Sequence, residues 1–218
     1  MVDLFEQLRE VFTGKTAPFV WAVIIIVAGY LVITIVRARK RAAAAGGGAH
    51  FVSPKTVAVY GILTALTAAV TYASYLPFSP TKGYFNLGDS MVFFSALSFG
   101  WRTGAICGGI GSAAADVLLG SGIYAPITLV AKGAEGLVAG RLGTAAKGKH
   151  WAIIIGIILG GSCMITAYFL GEYFVLNVGF GKALAEVPIN VLQVVFGGTI
   201  GLLLSRAVKK SYPKLAAA

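Results

Sequence analysis

Charge is what this sequence has least of. Only 12% of its 218 residues are Asp, Glu, Lys or Arg, well below the roughly 25% of a soluble domain, while hydrophobic residues reach 57% and the mean hydropathy is +0.84. A water-soluble globular fold is thereby excluded. Acids are scarcer than bases, with 8 Asp and Glu against 18 Lys and Arg and a net charge of +10. The bases fall in short tails and in loops between apolar runs, where they read as topology signals rather than as a nucleic-acid surface. The two cysteines, Cys107 and Cys163, lie inside apolar runs without a CxxC partner, so neither a disulfide framework nor a zinc site is indicated. The two histidines, His50 and His150, stand in polar connections, which excludes a buried Ser–His dyad. No Walker A sequence and no catalytic constellation is present. Neither an enzyme nor a resident cofactor is expected.

What is there is a series of long apolar runs, and the expected fold class is an all-α integral membrane protein. Val2–Phe12 sets Leu4, Phe5, Leu8, Val11 and Phe12 against Asp3, Glu6, Arg9 and Glu10, the pattern of a short amphipathic helix on a membrane surface. Phe19–Val36 is a first span of about 18 residues, near the lower limit for a ~30 Å hydrocarbon core. Arg37, Arg39, Lys40 and Arg41 anchor its end, and Ala42–Ala49 is a flexible tether. This divides the chain into residues 1–50, an extra helix with its tether, and 51–218, a membrane domain of six helices. The six runs are Thr56–Leu76, Asp89–Phe99, Trp101–Leu119, Tyr124–Leu142, Trp151–Gly171 and Val187–Leu204. Alternating them across a plasma membrane from a cytoplasmic Lys55 puts Arg102, Arg141, Lys147, Lys149, Arg206, Lys209, Lys210 and Lys214 in the cytoplasm, with the C-terminus. Glu172 and Glu186 then fall in external loops, as the positive-inside rule prefers.

Inside these runs stand the residues that point to function. Asp89, Asp116, Lys132 and Glu135 are ionisable groups in apolar sequence, which is costly and marks a functional site. With Asn190 and Gln193, placed in the first turns of the last run, they are expected to line one small-molecule site near the outer face. The Asp89–Phe99 run spans only ~20 Å even if started at Asn86, and a short segment at membrane depth marks a binding region. Blander readings stand beside this one. Asp89 could simply cap its helix, and Lys132 and Glu135, at i and i+3, could neutralise each other. Tyr84, Phe85, Tyr124 and Phe180 are aromatic residues near the mouth, available to stack on a flat ring such as a pyrimidine or pyridine. Gly61, Ala65, Ala69 and Ala73 form a ridge of small residues along the first run, where another helix can approach closely. Gly104, Gly108, Gly111, Ser112 and Ala115 form a second ridge, read as packing inside the bundle.

The runs Gly83–Gly100 (GYFNLGDSMVFFSALSFG), GGIGSAAADVLLG, APITLVAKGAEGLVAGRL and Glu186–Leu204 (EVPINVLQVVFGGTIGLLL), in this order over roughly residues 52–207, resemble the S components of energy-coupling factor (ECF) vitamin transporters. The resemblance implies six helices, a vitamin-sized site near the external face, and a lid loop between the first two helices, here Pro77–Leu87 with Tyr84, Phe85 and Asn86 at its end. Taken with the polar residues singled out above, this gives an expected substrate set of Tyr84, Asn86, Asp89, Asp116, Lys132, Glu135, Asn190 and Gln193. The resemblance also implies that Gly61, Ala65, Ala69 and Ala73 dock on a transmembrane coupling subunit, with two ATPase subunits supplying the energy. The extra helix before residue 51 departs from the usual six-helix core. A competing expectation is a structural accessory subunit of a larger membrane assembly. A binding subunit should have a polar-lined cavity at Asp89, Asp116, Lys132 and Asn190, whereas an accessory subunit should pair these groups and fill the space.

Overall fold

A computed structural model describes residues 54–77, 84–145 and 149–212, with isolated positions between 9 and 25. The expected amphipathic start, first span and tether, the tip of the lid loop and Lys82, Lys147 and Lys214 lie outside the described residues. Among the described residues from 54 on, six helices follow one another: α1 (Pro54–Ala73), α2 (Gly88–Phe99), α3 (Trp101–Leu118), α4 (Ala125–Ala145), α5 (His150–Leu170) and α6 (Phe180–Ser211). A two-stranded antiparallel ribbon, β1 (Leu76–Pro77) and β2 (Tyr84–Phe85), joins α1 to α2, and α5 continues into a π-helical turn, Gly171–Val175.

The bundle is apolar outside and polar inside. Ile62, Leu66, Trp151, Ile158, Val195 and Leu203 are exposed, whereas Asp89, Glu135 and Glu172 are each 0% exposed. That is the distribution expected when hydrocarbon replaces water as the solvent. α1, α5 with its π turn, and α6 are long and apolar enough to cross a membrane. α3 and α4 carry Arg102, Asp116, Lys132, Glu135 and Arg141 and bury much of their surface against neighbours.

α2 explains how a helix too short for a bilayer is tolerated. Its 12 residues, about 18 Å long, are almost all buried, with α1, α3, α4 and α6 packed around it. Protein rather than lipid surrounds it, so neither end has to reach a membrane surface. Gly100 is at once the last cap of α2 and the first of α3, at φ +92°, a left-handed conformation that glycine takes without penalty. The chain therefore reverses between the two helices through a single residue.

The two small-residue ridges part company. Gly104, Gly108, Gly111, Ser112 and Ala115 are buried in α3, and a Cβ on Gly111 would stand 2.7 Å from the Thr64 carbonyl of α1. That stripe is internal packing, as the sequence suggested. On α1, Leu63, Thr67 and Thr71 face inward, while Gly61, Ala65, Ala69 and Ala73 are all exposed. A Cβ on Gly61 would meet nothing within 4 Å.

α6 begins at Phe180, seven residues before the expected Val187, and runs for 32 residues with Pro188 inside it. Asn190 and Gln193 consequently lie in its third and fourth turns, deeper than the first turns expected. The same extension takes Glu186 into the bundle at 6% exposure, and the π turn takes Glu172 there at 0%. Both had been expected in external loops.

Candidate functional site

The C-terminal ends of α1, α3 and α5 meet the N-terminal ends of α2, α4 and α6 at one end of the bundle, and β2 closes over them. A cavity of about 30 Å³ lies there, room for about two waters. Its wall takes Thr71 from α1, Tyr84 and Asn86 from β2 and its exit, and Ser112 and Asp116 from α3. Tyr124 comes from the turn just before α4, Thr128 and Lys132 from its N-terminal half, Tyr168 from α5, and Glu186, Asn190 and Gln193 from α6.

Lys132 is the centre of charge. Its ammonium donates to Asp89 Oδ1 and stands 3.6 Å from Glu135 Oε2 one turn along its own helix. It also lies 5.7 Å from the centre of the Tyr168 ring. Lys132 itself is only 2% exposed. Two carboxylates around one ammonium offset the cost of burying it, since a charge in this setting persists only when paired. Asp89 and Glu135 are not on the cavity wall; they stand behind Lys132 and hold it. Asp89 does not cap α2 through its side chain. The Gly88 N–H is taken instead by Asn86 Oδ1 at 2.8 Å. The expected mutual pairing of Lys132 and Glu135 is present, but Asp89 holds the nearer place.

An amide chain crosses the opposite wall. Asn86 Nδ2 donates to Gln193 Oε1 at 2.7 Å, and Gln193 Nε2 donates to Asn190 Oδ1 at 2.9 Å. Because Asn86 also fixes the start of α2, this chain ties the lid's exit to α6. The lid's other attachment is Tyr84, whose hydroxyl donates to Asp116 Oδ1 at 2.5 Å and whose ring lies 4.8 Å from that of Tyr75. Burial, and then the adjoining Asp116 carboxylate, push the Tyr84 phenol well above its ordinary range. It therefore acts as a donor at any physiological pH.

Of the residues expected at the site, Tyr84, Asn86, Asp116, Lys132, Asn190 and Gln193 meet on one wall. Tyr124 joins them. Phe180 does not: it is 58% exposed and packs edge-on to Phe169 at 5.7 Å. Phe85 packs edge-on to Phe196 at 6.3 Å, away from the wall. Thr71, Thr128 and Tyr168 were not singled out, and Ser112 and Glu186 were read as ridge packing and as a loop acid rather than as site residues. Hydroxyls are common in packed membrane helices, and nothing in their spacing sets these apart. A polar cavity and paired charges, posed above as alternatives, are both present side by side.

The family described as ECF-type riboflavin transporter, S component, matches residues 51–210. The chain belongs to this S-component family. It is 26% identical over 158 residues to the thiamine precursor transporter HmpT of Lactococcus lactis subsp. cremoris, covering 72% of this S component and 89% of that protein. It is also 36% identical over 149 residues to an uncharacterized protein of Pyrococcus woesei, covering 64% and 97%. Its fold is similar to a solved structure described as the S component of a bacterial ECF transporter. The TM-score is 0.58 at 19% identity, over 72% of this chain and 96% of that one. As an S component the protein is a substrate-binding membrane subunit of an ECF-type transporter and not an enzyme.

Proposed function

We propose that this S component captures a vitamin or vitamin precursor from outside the cell in the cavity beneath β2. It then delivers the ligand through a transmembrane coupling subunit driven by two ATPases, with the C-terminus of α6 in the cytoplasm. The observation that carries this reading is the convergence of polar side chains from five helices and β2 on one hollow in an otherwise apolar-faced bundle. Polar groups at that depth are costly unless a partner or ligand answers them. Tyr84, Asn86, Asp116, Lys132, Asn190 and Gln193 contact the ligand, and Asp89 and Glu135 act through Lys132.

At about 30 Å³ the cavity is too small for an aromatic vitamin, so β2 has to lift first. Two side-chain hydrogen bonds tie it to the cavity wall, Tyr84–Asp116 and Asn86–Gln193, beside the ring contacts of Tyr84 with Tyr75 and of Phe85 with Phe196. A ligand that supplies a donor to Asp116 and an edge to Gln193 replaces both hydrogen bonds. Docking on the coupling subunit uses the exposed ridge of Gly61, Ala65, Ala69 and Ala73, where a smooth surface lets a second helix approach closely.

Reconstitution with a coupling subunit and ATPases in proteoliposomes tests the whole reading. ATP-dependent uptake of a labelled vitamin is expected for the parent and is lost when Asn190→Leu puts an apolar branch in the wall. Equal uptake by Asn190→Leu, or none by the parent for any vitamin tested, contradicts it.

A further inference from the structure

At the end of the bundle away from the cavity, two arginines from different helices converge on one indole. The guanidinium carbon of Arg102 lies 5.0 Å from the centre of the Trp101 ring, and that of Arg141 lies 5.5 Å from it. Trp101 and Arg102 open α3, whereas Arg141 belongs to the last part of α4. Close helix packing brings them together. A Cβ on Gly140 would stand 2.5 Å from the Trp101 Cα, so the two backbones touch there and the next residue, Arg141, is delivered to the ring.

Like charges gathered at one place repel unless an anion joins them. Arg102 also stands in the first turn of α3, at the positive pole of the helix, and that turn holds no acid. Among the described residues no carboxylate forms an ion pair with either arginine. Lys55, Lys149, Arg206, Lys209 and Lys210 are exposed at the same end and add to the positive field. Topology asks only that bases lie at this end, not that two of them share a ring.

What lies beside the arginines gives the anion its second property. Trp151 opens α5 at the same end as Trp101 opens α3, and tryptophan at helix ends marks the level of lipid headgroups. One and two turns below Arg102 on the same face of α3 stand Ile106 and Ile110, and one turn below Arg141 on α4 stands Leu137, all three exposed. The charged pair therefore heads an apolar track.

We propose that the seam between α3 and α4 binds one anionic phospholipid, its phosphate held between Arg102 and Arg141 and an acyl chain laid over Ile106, Ile110 and Leu137. Planar guanidinium forks match phosphate oxygens, and the Trp101 ring orients them. A zwitterionic lipid would bring an ammonium into a field that is already positive. The site is separate from the cavity and stands whether or not the cavity takes a vitamin.

Native mass spectrometry of the purified full-length protein tests this, with phosphatidylglycerol and phosphatidylcholine of identical acyl chains added in turn. One retained phosphatidylglycerol, at no less than fivefold the occupancy of phosphatidylcholine, is expected. Arg102→Gln combined with Arg141→Gln should lower that occupancy at least fivefold. Lys209→Gln combined with Lys210→Gln removes the same charge from the same end and should change it less than twofold. Glycerol phosphate, which carries the anion without acyl chains, should not displace the lipid at equal concentration. Equal retention of the two lipids, equal effects of the two glutamine pairs, or displacement by glycerol phosphate overturns the proposal, the last by assigning the arginines to a soluble phosphate. The lipid comparison and the displacement use the parent alone, so they decide the matter even where a variant fails to fold.

Discussion

Replacing Lys132 by methionine keeps an unbranched side chain only one atom shorter and removes its charge. The ammonium lies against Asp89 and 3.6 Å from Glu135, and both acids are 0% exposed. The substitution leaves two carboxyls with no cation and no route to water. Breaking a buried pair from one side costs about 3–5 kcal/mol. For a domain of this size each kcal/mol moves the unfolding midpoint by about 2–4 °C, so a fall of roughly 6–20 °C is expected. The assay is thermal unfolding in detergent without ligand, followed by a thiol-reactive dye. Cys107 is buried and Cys163 exposed, so a Cys163→Ser background makes the signal report unfolding alone. Adding Asp89→Asn and Glu135→Gln to Lys132→Met removes the stranded charge and is expected to restore most of the midpoint, because an ion pair replaced as a whole costs little. A fall below about 2 °C for the single variant, or a triple variant no more stable than the single one, refutes the idea that these acids are held by Lys132.

Two further outcomes follow from the lid and the ridge. Tyr84→Phe removes a hydrogen bond to a carboxylate, a contact of about 1.5–3 kcal/mol. Both association and dissociation of the ligand are expected to accelerate, dissociation by at least tenfold in stopped-flow fluorescence, and an unchanged dissociation rate would remove Tyr84 from the closure. Ala69→Leu lies on the exposed face of α1 and is expected to melt within about 1 °C of the parent. It should no longer co-purify with the coupling subunit; an intact complex would put docking on another face.

Much of this was legible because the membrane makes polar residues conspicuous. The six runs, the shortness of α2 and the cluster of Asp116, Lys132, Asn190 and Gln193 could be read from hydropathy and from the rarity of charge in it. The ridge of Gly61, Ala65, Ala69 and Ala73 was legible from four-residue spacing, but its outward aim was not: the equally regular stripe on α3 is internal, and only the family resemblance favoured α1 as the free face. What escaped depends on where helices begin and how they turn. Glu172 looked like a loop acid because it follows the apolar run directly, and the π turn that swings it inward has no pattern of period 3.6. Glu186 was missed because the apolar run was started at Val187, one residue beyond it, whereas α6 begins at Phe180. The division of labour between residues on the wall and residues behind it was also invisible. Asp89, Asp116 and Glu135 are equally anomalous in sequence, and only the position of the Lys132 ammonium separates them.

The central claim is that the hollow lined by Tyr84, Asp116, Lys132, Asn190 and Gln193 accepts a small molecule. Native mass spectrometry of the protein released from its own membranes reads this directly. A retained adduct of vitamin mass, present in the parent and absent when Asn190→Leu and Gln193→Leu are combined in a protein that still melts cooperatively, is the result the account predicts. An adduct of the same mass and occupancy in both proteins would place the ligand elsewhere and contradict it.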